Sequence, residues 1–218
     1  MQRLADFFLS FLALVLLSPL MIPIVLILKI TGEGEVFYHQ KRIGLKGASF
    51  YLLKFATMLK DSPNLGTGEI TLVEDPRVLP FGKFLRKTKL NELPQIWNIL
   101  KGEMSIVGPR PMVPNTFSKY SALAKEELSK VRPGLTGIGS IIFRDEEKYL
   151  SEENNPEAFY DEVIIPYKNE VEIWYVKKRS IFLYFKIIFV TAWAVLFPNS
   201  CLGEKVFSGL PPIPDKLL

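Results

Sequence analysis

The chain has 218 residues, with 27 lysines and arginines against 23 acidic residues, one histidine and one cysteine. This length suits one domain with its own core and room for an appended segment. A single cysteine excludes an intrachain disulfide, and one histidine with one cysteine excludes a Cys/His zinc or iron centre, so a reducing compartment fits best. The net charge of +4 suits a phosphate-rich or membrane-surface partner.

The N-terminal segment is a membrane candidate. Residues 7–28 carry no charge, and as a straight helix they would reach about 33 Å, enough to span the hydrocarbon core. A cleaved signal peptide is the first alternative, but the apolar stretch exceeds the usual signal core and no small-residue cleavage site follows it.

A break is predicted in the middle of this segment. Pro19 has no amide for the Val15 carbonyl, and the Ser18 hydroxyl can bond to the carbonyl of Leu14. Basic residues flank both ends of the segment, so the positive-inside rule selects neither end. An ordinary kinked transmembrane helix is one interpretation. A re-entrant hairpin over residues 1–30, broken at Ser18 and Pro19, explains both the break and the two-sided charge.

The middle of the chain alternates short apolar runs with turns. Residues 36–55 read as a hairpin whose turn contains Gly44 and Gly47. Residues 61–75 are expected to form a polar loop, either a lid or a solvated connector. Residues 78–87 fit a basic amphipathic helix, and residues 91–100 a second helix that ends before Gly102.

The C-terminal half adds further helical segments. A proline-rich loop at residues 105–114 precedes a helical stretch from 117 to 131 and a turn-rich segment at 132–140. Residues 180–197 are apolar and follow three basic residues, which is typical of a helix at a bilayer surface. A buried core helix is the alternative interpretation of this last segment.

One stretch is specific to a family. Residues 85–111, LRKTKLNELPQIWNILKGEMSIVGPRP, closely resemble the signature of the bacterial sugar transferase family, the monotopic polyprenyl-phosphate phosphoglycosyl transferases. The resemblance extends to the Ser18–Pro19 break, to QKRIG at 40–44, to KFATM at 54–58 and to VRPGLTG at 131–137. It therefore covers about residues 1–200.

The resemblance implies a fold of the α/β class, mostly α. Its parts are a re-entrant N-terminal membrane helix (1–30), a small globular catalytic part with interfacial amphipathic helices (31–200) and a C-terminal tail (201–218). The implied activity moves a sugar phosphate from a UDP-sugar to polyprenyl (undecaprenyl) phosphate and releases UMP, with Mg²⁺ assisting. The implied place is the cytoplasmic face of the bacterial inner membrane, at the first membrane step of polysaccharide or glycoconjugate synthesis.

Basic residues in the signature suit this reaction. Arg86, Lys87 and Arg110 would bring fixed positive charge to a diphosphate and a lipid phosphate, although a cluster of this kind is often only a solvated face. The resemblance adds Pro109, Arg132 and Arg42 to the substrate-binding set. The implied partners are a UDP-sugar, polyprenyl phosphate and the lipid bilayer, without nucleic acid.

The sequence departs from the family at the catalytic pair. Family members usually carry Asp-Glu, with the Asp as nucleophile and the Glu supporting the metal site, where this chain has Asn91 and Glu92. An amide is not a useful nucleophile toward phosphorus, whereas Asn is a good helix N-cap. Glu92, in the first helical turn, would be kept ionised by the helix dipole and would serve as the metal or phosphate-site ligand.

Two further departures bear on the site. Ala56 stands where the family often has Arg, and residues 137–147 replace a more polar stretch. The latter supplies Asp145 and Glu146 as reserve carboxylates, with a solvated charge run as the alternative.

On the sequence alone, three routes for the sugar-phosphate transfer and two other functions remain open. In the three routes, the group that attacks the UDP-sugar is Glu92, a carboxylate from residues 145–147, or the lipid phosphate itself. The alternative function is a catalytically impaired family member that acts as a membrane binding or assembly protein, which the missing Asp supports. A membrane-anchored binder of nucleic acid or anionic lipid would leave the Pro and Gly positions of VGPRP unexplained.

Overall fold

The N-terminal segment forms one long helix, α1 (Gln2–Ile30), which continues through Pro19 and Pro23, so the predicted break at Ser18 and Pro19 does not interrupt it. The computed structural model describes residues 2–65, 74–144, 146–151, 153–197, 200 and 206–217. Within these residues, α1 is the one helix long and apolar enough to cross a membrane. The Ser18 hydroxyl donates to the Val15 carbonyl at 2.9 Å, and not to Leu14 as predicted. Val15 is the carbonyl that Pro19 leaves without an amide, so the bond compensates the proline.

Both ends of α1 contact the rest of the chain. Its buried residues are Asp6 and Ser10 near the start and Ile24 and Leu28 near the end, whereas residues 11–20 include none. Ile24 and Leu28 pack with Phe55 and Leu85 of the globular part. The middle of the helix is therefore less covered by the rest of the chain than its two ends.

The predicted hairpin is confirmed. Strand β1 (Phe37–Ile43) pairs antiparallel with β2 (Ser49–Phe55), with Phe37 opposite Phe55 and Ile43 opposite Ser49. A 3₁₀ turn at Leu45–Gly47 joins them. Gly47 has φ +72°, a left-handed conformation that favours glycine.

The next helices begin later than the sequence predicts because prolines set their starts. Helix α2 covers Pro80–Lys87. A 3₁₀ turn at Leu90–Glu92 comes before α3 (Gln95–Lys101), whose N-cap is Pro94 and whose C-cap Gly102 has φ +85°. The single helix predicted for residues 91–100 is thus a turn followed by a helix.

The turn-rich interpretation of residues 132–140 was wrong. Strand β3 (Ser105–Val107) pairs in parallel with β4 (Gly134–Thr136), and α6 (Ile138–Ile142) follows directly. The stretch between them forms two helices, α4 (Pro114–Lys119) and α5 (Ala122–Ser129), rather than one. Ser121 divides them, because its hydroxyl accepts the Ala124 amide as an N-cap.

The remaining helices enclose the main core. Helices α7 (Glu146–Ser151) and α8 (Pro156–Phe159) are followed by a π-turn at Tyr160–Ile164, by α9 (Ile165–Lys178) and by α10 (Ile181–Leu196). The residues that α10 buries are Leu183, Tyr184, Ile187 and Val190, while Phe182, Phe185, Phe189 and Trp193 are exposed. One face of α10 is thus core and the other is free for a bilayer surface. The fold is mostly α with two small sheets, as predicted.

The C-terminal tail packs against this core. Phe207 is buried, and its ring meets that of Trp174 edge to face, with centroids 6.5 Å apart. The Lys186 ammonium donates to the Val206 carbonyl at 2.8 Å. Residues 206–217 therefore cover α9 and α10 and do not extend away from the domain.

Candidate active site

Three elements bring a carboxylate and two cations together. Lys54 lies near the end of β2, Glu92 closes the 3₁₀ turn before α3, and Arg110 lies in the loop after β3. The Glu92 Oε1 atom is 3.5 Å from the Lys54 ammonium and 3.4 Å from the Arg110 guanidinium. The Lys54 and Glu92 side chains are only 16% and 18% exposed, so water screens this pairing weakly.

The charges of this cluster act strongly on one another. Burial works to raise the pKa of Glu92, but the positive charges of Lys54, Arg110 and Lys89 outweigh it and bring that pKa to about 2. Burial lowers the pKa of Lys54 to about 8; Glu92 opposes this effect, and Arg110, Arg42 and Arg86 add to it. Glu92 is thus ionised at neutral pH within an excess of positive charge, which suits the binding of a polyanion.

Several predicted binding residues meet at this cluster. Arg42 on β1 donates to the Pro111 carbonyl at 2.9 Å and to the Gln40 side chain, and Arg86 approaches the Met58 sulfur at 3.9 Å. Arg110 is half exposed. The charges of Arg42, Arg86 and Arg110 all act on Lys54, so these three predicted binding residues lie in the neighbourhood of the cluster.

Pro109 and Lys87 have different surroundings. Pro109 is buried, and its carbonyl accepts the Gly134 amide at 2.8 Å, which ties the loop after β3 to β4. Its observed role is to fix the loop that carries Arg110. Lys87 is exposed on the last turn of α2.

The structure does not bring Arg132 to this cluster. The Arg132 Nε donates to the Gly102 carbonyl at 2.8 Å, and the side chain lines a separate cavity with Asp6 and Arg179. The charges that act on Glu92 and Lys54 come from other residues. The substrate-binding role predicted for Arg132 thus has no support from its position.

Asn91 is buried, not a helix cap. It is 6% exposed, and its Oδ1 atom has no hydrogen-bond partner in the part of the chain that the structure describes. Lys89 is the N-cap of the 3₁₀ turn and Pro94 that of α3, so the expected capping role of Asn91 was wrong. Glu92 likewise lies in the turn before α3 and not in the first turn of an α-helix, so neighbouring cations rather than that helix dipole keep it ionised.

Of the two reserve carboxylates, the structure describes Glu146. Asp145 lies outside the described residues. Glu146 begins α7 and forms an ion pair with Lys168, and its charge also raises the pKa of Arg110, after the larger effect of Glu92 and against burial. Glu146 therefore lies near enough to Arg110 to act on the site, with its charge partly committed to Lys168.

Two site residues were not assigned from the sequence. Lys54 lies inside the KFATM motif, and its position in a family motif was the available signal. Glu172 is an acid within the apolar stretch of α9, where it is buried, and its Oε1 atom accepts the Arg110 amide at 3.3 Å. Burial raises the pKa of Glu172 to about 7, although the Arg110 amide, Lys168 and Arg110 lower it.

Gly139 makes room for the Glu172 carboxylate. A Cβ atom at position 139 would lie 2.3 Å from the Glu172 Oε1 atom, closer than any ordinary contact. Glu172 is thus held between α6 and the Arg110 backbone, where it supports the loop that carries Arg110.

The residues present are compatible with Mg²⁺ carried by substrate phosphates. No group of three acidic, histidine or cysteine side chains converges within the described ranges. Mg²⁺ is, however, commonly held by one or two protein oxygens together with phosphates and water. Glu92 offers a carboxylate, and the unpartnered Oδ1 atom of Asn91, the preceding residue, offers an amide oxygen.

Comparisons with known proteins identify the family of the chain. The family model described as bacterial sugar transferase matches residues 1–198. The exopolysaccharide production protein ExoY of Sinorhizobium fredii is 40% identical over 164 residues, which cover 69% of this chain and 72% of that protein. The UDP-glucose:undecaprenyl-phosphate glucose-1-phosphate transferase of Xanthomonas campestris pv. campestris is 37% identical over 198 residues, 89% of this chain but 38% of that protein.

A second relative with the same name shows a similar identity and coverage. The UDP-glucose:undecaprenyl-phosphate glucose-1-phosphate transferase of Klebsiella pneumoniae is 34% identical over 194 residues, or 88% of this chain and 39% of that protein. The chain therefore spans well under half of these two transferases and most of ExoY. Since the family model covers the apolar helix α1, the cluster around Glu92 and the helices that support it, the chain belongs to the bacterial sugar transferase family.

Proposed function

We propose that the protein is a phosphoglycosyl transferase that moves a sugar phosphate from a UDP-sugar to undecaprenyl phosphate and releases UMP. The observation that carries the proposal is the ionised Glu92 between Lys54 and Arg110, inside the signature stretch of the family. The names of two relatives as UDP-glucose:undecaprenyl-phosphate glucose-1-phosphate transferases support the substrates.

The cations of the site bind the reacting phosphates. Arg110 and Arg86 offer guanidinium groups that stay charged and can donate two hydrogen bonds to one phosphate. Lys54, with a pKa of about 8, is mostly protonated at neutral pH and adds a point charge. These charges stabilise the negative charge that develops on the transferred phosphoryl group and on the departing UMP.

Asn91 favours direct transfer over a covalent intermediate. Glu92 has a pKa of about 2 and is already paired with two cations, so it is a weak nucleophile. Glu146 is paired with Lys168. In the direct route an oxygen of the lipid phosphate attacks the β-phosphorus of the UDP-sugar, the bond from that phosphorus to the oxygen bridging to the α-phosphorus breaks, and this oxygen leaves with UMP.

Mg²⁺ is part of the proposal. Glu92 and the Asn91 amide oxygen would hold it together with the substrate phosphates, and the ion would supply charge neutralisation at the diphosphate. The protein residues do the rest: Lys54, Arg86 and Arg110 bind, while Glu172 and Pro109 position the Arg110 loop.

We also propose that α1 is re-entrant and that the domain lies on the cytoplasmic face of the bacterial inner membrane. Both ends of α1 pack against one globular part while residues 11–20 are not buried. This arrangement supports a helix that enters the bilayer and returns to the same side. It keeps the Glu92 cluster beside the membrane surface, where a lipid phosphate is available.

The function is tested with detergent-solubilised protein, polyprenyl phosphate, Mg²⁺ and a panel of UDP-sugars, with UMP release as the readout. Multiple-turnover UMP release that requires the lipid phosphate is expected. Omitting the lipid tests the route, because direct transfer gives no UMP, whereas a covalent route gives a burst of one equivalent per enzyme. No UMP with any UDP-sugar would refute the transferase proposal and favour the impaired family member, which the amide at Asn91 supports.

A further inference from the structure

A second polar cavity lies where the two apolar helices begin. It has a volume of about 120 Å³. The charged or polar groups around it come from the first turns of α1, from the end of α5 and the residues before β4, and from the junction between α9 and α10. They include Gln2, Arg3, Asp6, Lys130, Arg132 and Arg179.

The lining of this cavity is strongly basic. It contains four cations and one acid, Asp6. Asp6 is 2% exposed, and its Oδ1 atom already accepts hydrogen bonds from the Ser105 hydroxyl, the Ile106 amide and the Tyr184 hydroxyl. The acid is therefore bound to its own donors, and the cavity keeps an excess of positive charge.

Two of the cations keep donors available for a ligand. Arg132 uses its Nε on the Gly102 carbonyl at 2.8 Å, which fixes the guanidinium while its terminal nitrogens make no hydrogen bond within the described residues. Arg179 is exposed and makes no hydrogen bond or ion pair in that same part of the chain. Arg3 already donates hydrogen bonds to two backbone carbonyls of α3, and Lys130 forms ion pairs with two acids of α5.

Exposed apolar side chains lie beside the cavity at the start of α10. Ile181 and Phe182 come within three residues of Arg179 and are 43% and 75% exposed. The bond between the Tyr184 hydroxyl and Asp6 at 2.9 Å holds the starts of α1 and α10 together. The positive ends of both helix dipoles lie here as well. A basic cavity next to exposed apolar residues suits an amphiphile with an anionic head.

The size of the cavity restricts the ligand to a head group. Sites that enclose a whole small molecule usually measure about 300–1,000 Å³, well above the 120 Å³ found here. A phosphate fits and its chains must remain outside. The site is also distinct from the Glu92 cluster, because Lys54, Glu92 and Arg110 are not among the residues that line the cavity.

We propose that this cavity binds the phosphate of an anionic membrane lipid, with Arg132 and Arg179 as donors and the acyl chains lying along the exposed apolar face of α10. The bound lipid would connect the start of the membrane helix to the bilayer surface without taking part in transfer. The proposal uses the membrane association of the chain and not the chemistry at Glu92.

The test compares Arg179→Gln with Lys178→Gln in the full chain. Lys178 is the adjacent exposed cation and does not line the cavity, so the two variants lose the same charge from nearly the same place. Native mass spectrometry of delipidated protein in detergent measures the binding of phosphatidylglycerol, with phosphatidylcholine as the neutral-head-group comparison and inorganic phosphate as the competitor.

The wild type is expected to hold one phosphatidylglycerol, displaced by millimolar inorganic phosphate. Arg179→Gln should weaken this binding about tenfold, as should Arg132→Gln, because each removes a charge-assisted hydrogen bond, whereas Lys178→Gln should change it less than twofold. UMP release by Arg179→Gln should match the wild type, so a failed transferase assay leaves this test intact.

Three results would overturn the assignment. Equal affinity for both lipids would show that the head-group charge is not recognised. An equal loss of phosphatidylglycerol affinity in Lys178→Gln and Arg179→Gln would show that general surface charge, and not the cavity, attracts the lipid. Binding of inorganic phosphate without any retained phosphatidylglycerol would make the cavity a site for soluble phosphate instead.

Discussion

Replacement of Glu92 by glutamine should separate anion binding from turnover. The variant keeps the size of the side chain but removes the negative charge 3.5 Å from Lys54 and 3.4 Å from Arg110. At such a distance each attraction is about 1 kcal/mol in water and about 4–5 kcal/mol at an effective dielectric constant of 20. Burying the Glu92 carboxylate costs the wild type hydration free energy, and the glutamine variant avoids this cost. The cost offsets much of the lost attraction, so we expect a net loss of about 2 kcal/mol in the free energy of unfolding.

This loss should depend on pH in a defined direction. The folded-state pKa of Lys54 is about 8, below its ordinary 10.5, so burying its charged form is a cost that is fully present below pH 8 and is lost between pH 8 and pH 10.5. Removing Glu92 enlarges that cost, because Glu92 is the charge that opposes the lowering. The difference in unfolding free energy between wild type and Glu92→Gln should therefore be larger near neutral pH and shrink as the pH rises through about 8, where Lys54 of the folded wild type loses its charge.

The assays are UMP release, UMP binding with and without Mg²⁺, and thermal unfolding. Turnover by Glu92→Gln should fall about 100-fold or more, with a melting temperature about 4–8 °C lower. Without Mg²⁺, UMP should bind the variant several-fold more tightly than the wild type, because one anion has left a cationic site. Turnover within threefold of the wild type would refute the assignment of Glu92.

Four further changes test the site and the topology. Asn91→Asp should keep or raise turnover and, if the family route returns, give a UMP burst without lipid; a variant less active than the wild type by tenfold would contradict this. Arg110→Lys should lose both UDP-sugar affinity and turnover, because an ammonium cannot donate in the bidentate manner; unchanged kinetics would remove Arg110 from the site. Gly139→Ala should push Glu172 from the Arg110 amide and lower kcat with little change in the KM for UDP-sugar. Ala124→Gly, a change at a buried helical position away from Arg110, is the control for a general loss of packing and should leave kcat unchanged. Cysteine labels placed before Arg3 and at position 31, in a Cys201→Ser background, should both react from the cytoplasmic side only; labelling of either from outside would reject the re-entrant helix.

Local pattern determined much of this protein. The apolar stretch of residues 7–28 predicts a long apolar helix, and the structure has one helix there, Gln2–Ile30. The hairpin at residues 36–55 follows from two short apolar runs joined by glycines. The signature from 85 to 111 also identified the family and directed attention to Glu92, Arg86 and Arg110, which the fold does bring together.

Tertiary structure decided what lies beside these residues. Strand β4 pairs with β3 across nearly thirty residues, and two three-residue strands carry too little pattern to be recognised alone. Lys54 meets Glu92, and Glu172 meets the Arg110 amide, because separate elements pack side by side. Arg132 lies in a motif, VRPGLTG, that the family resemblance covers, yet its side chain bonds to Gly102 and lines another cavity. Sequence spacing sets which residues are available, but the direction of each side chain depends on packing between distant elements, and no local pattern encodes that direction.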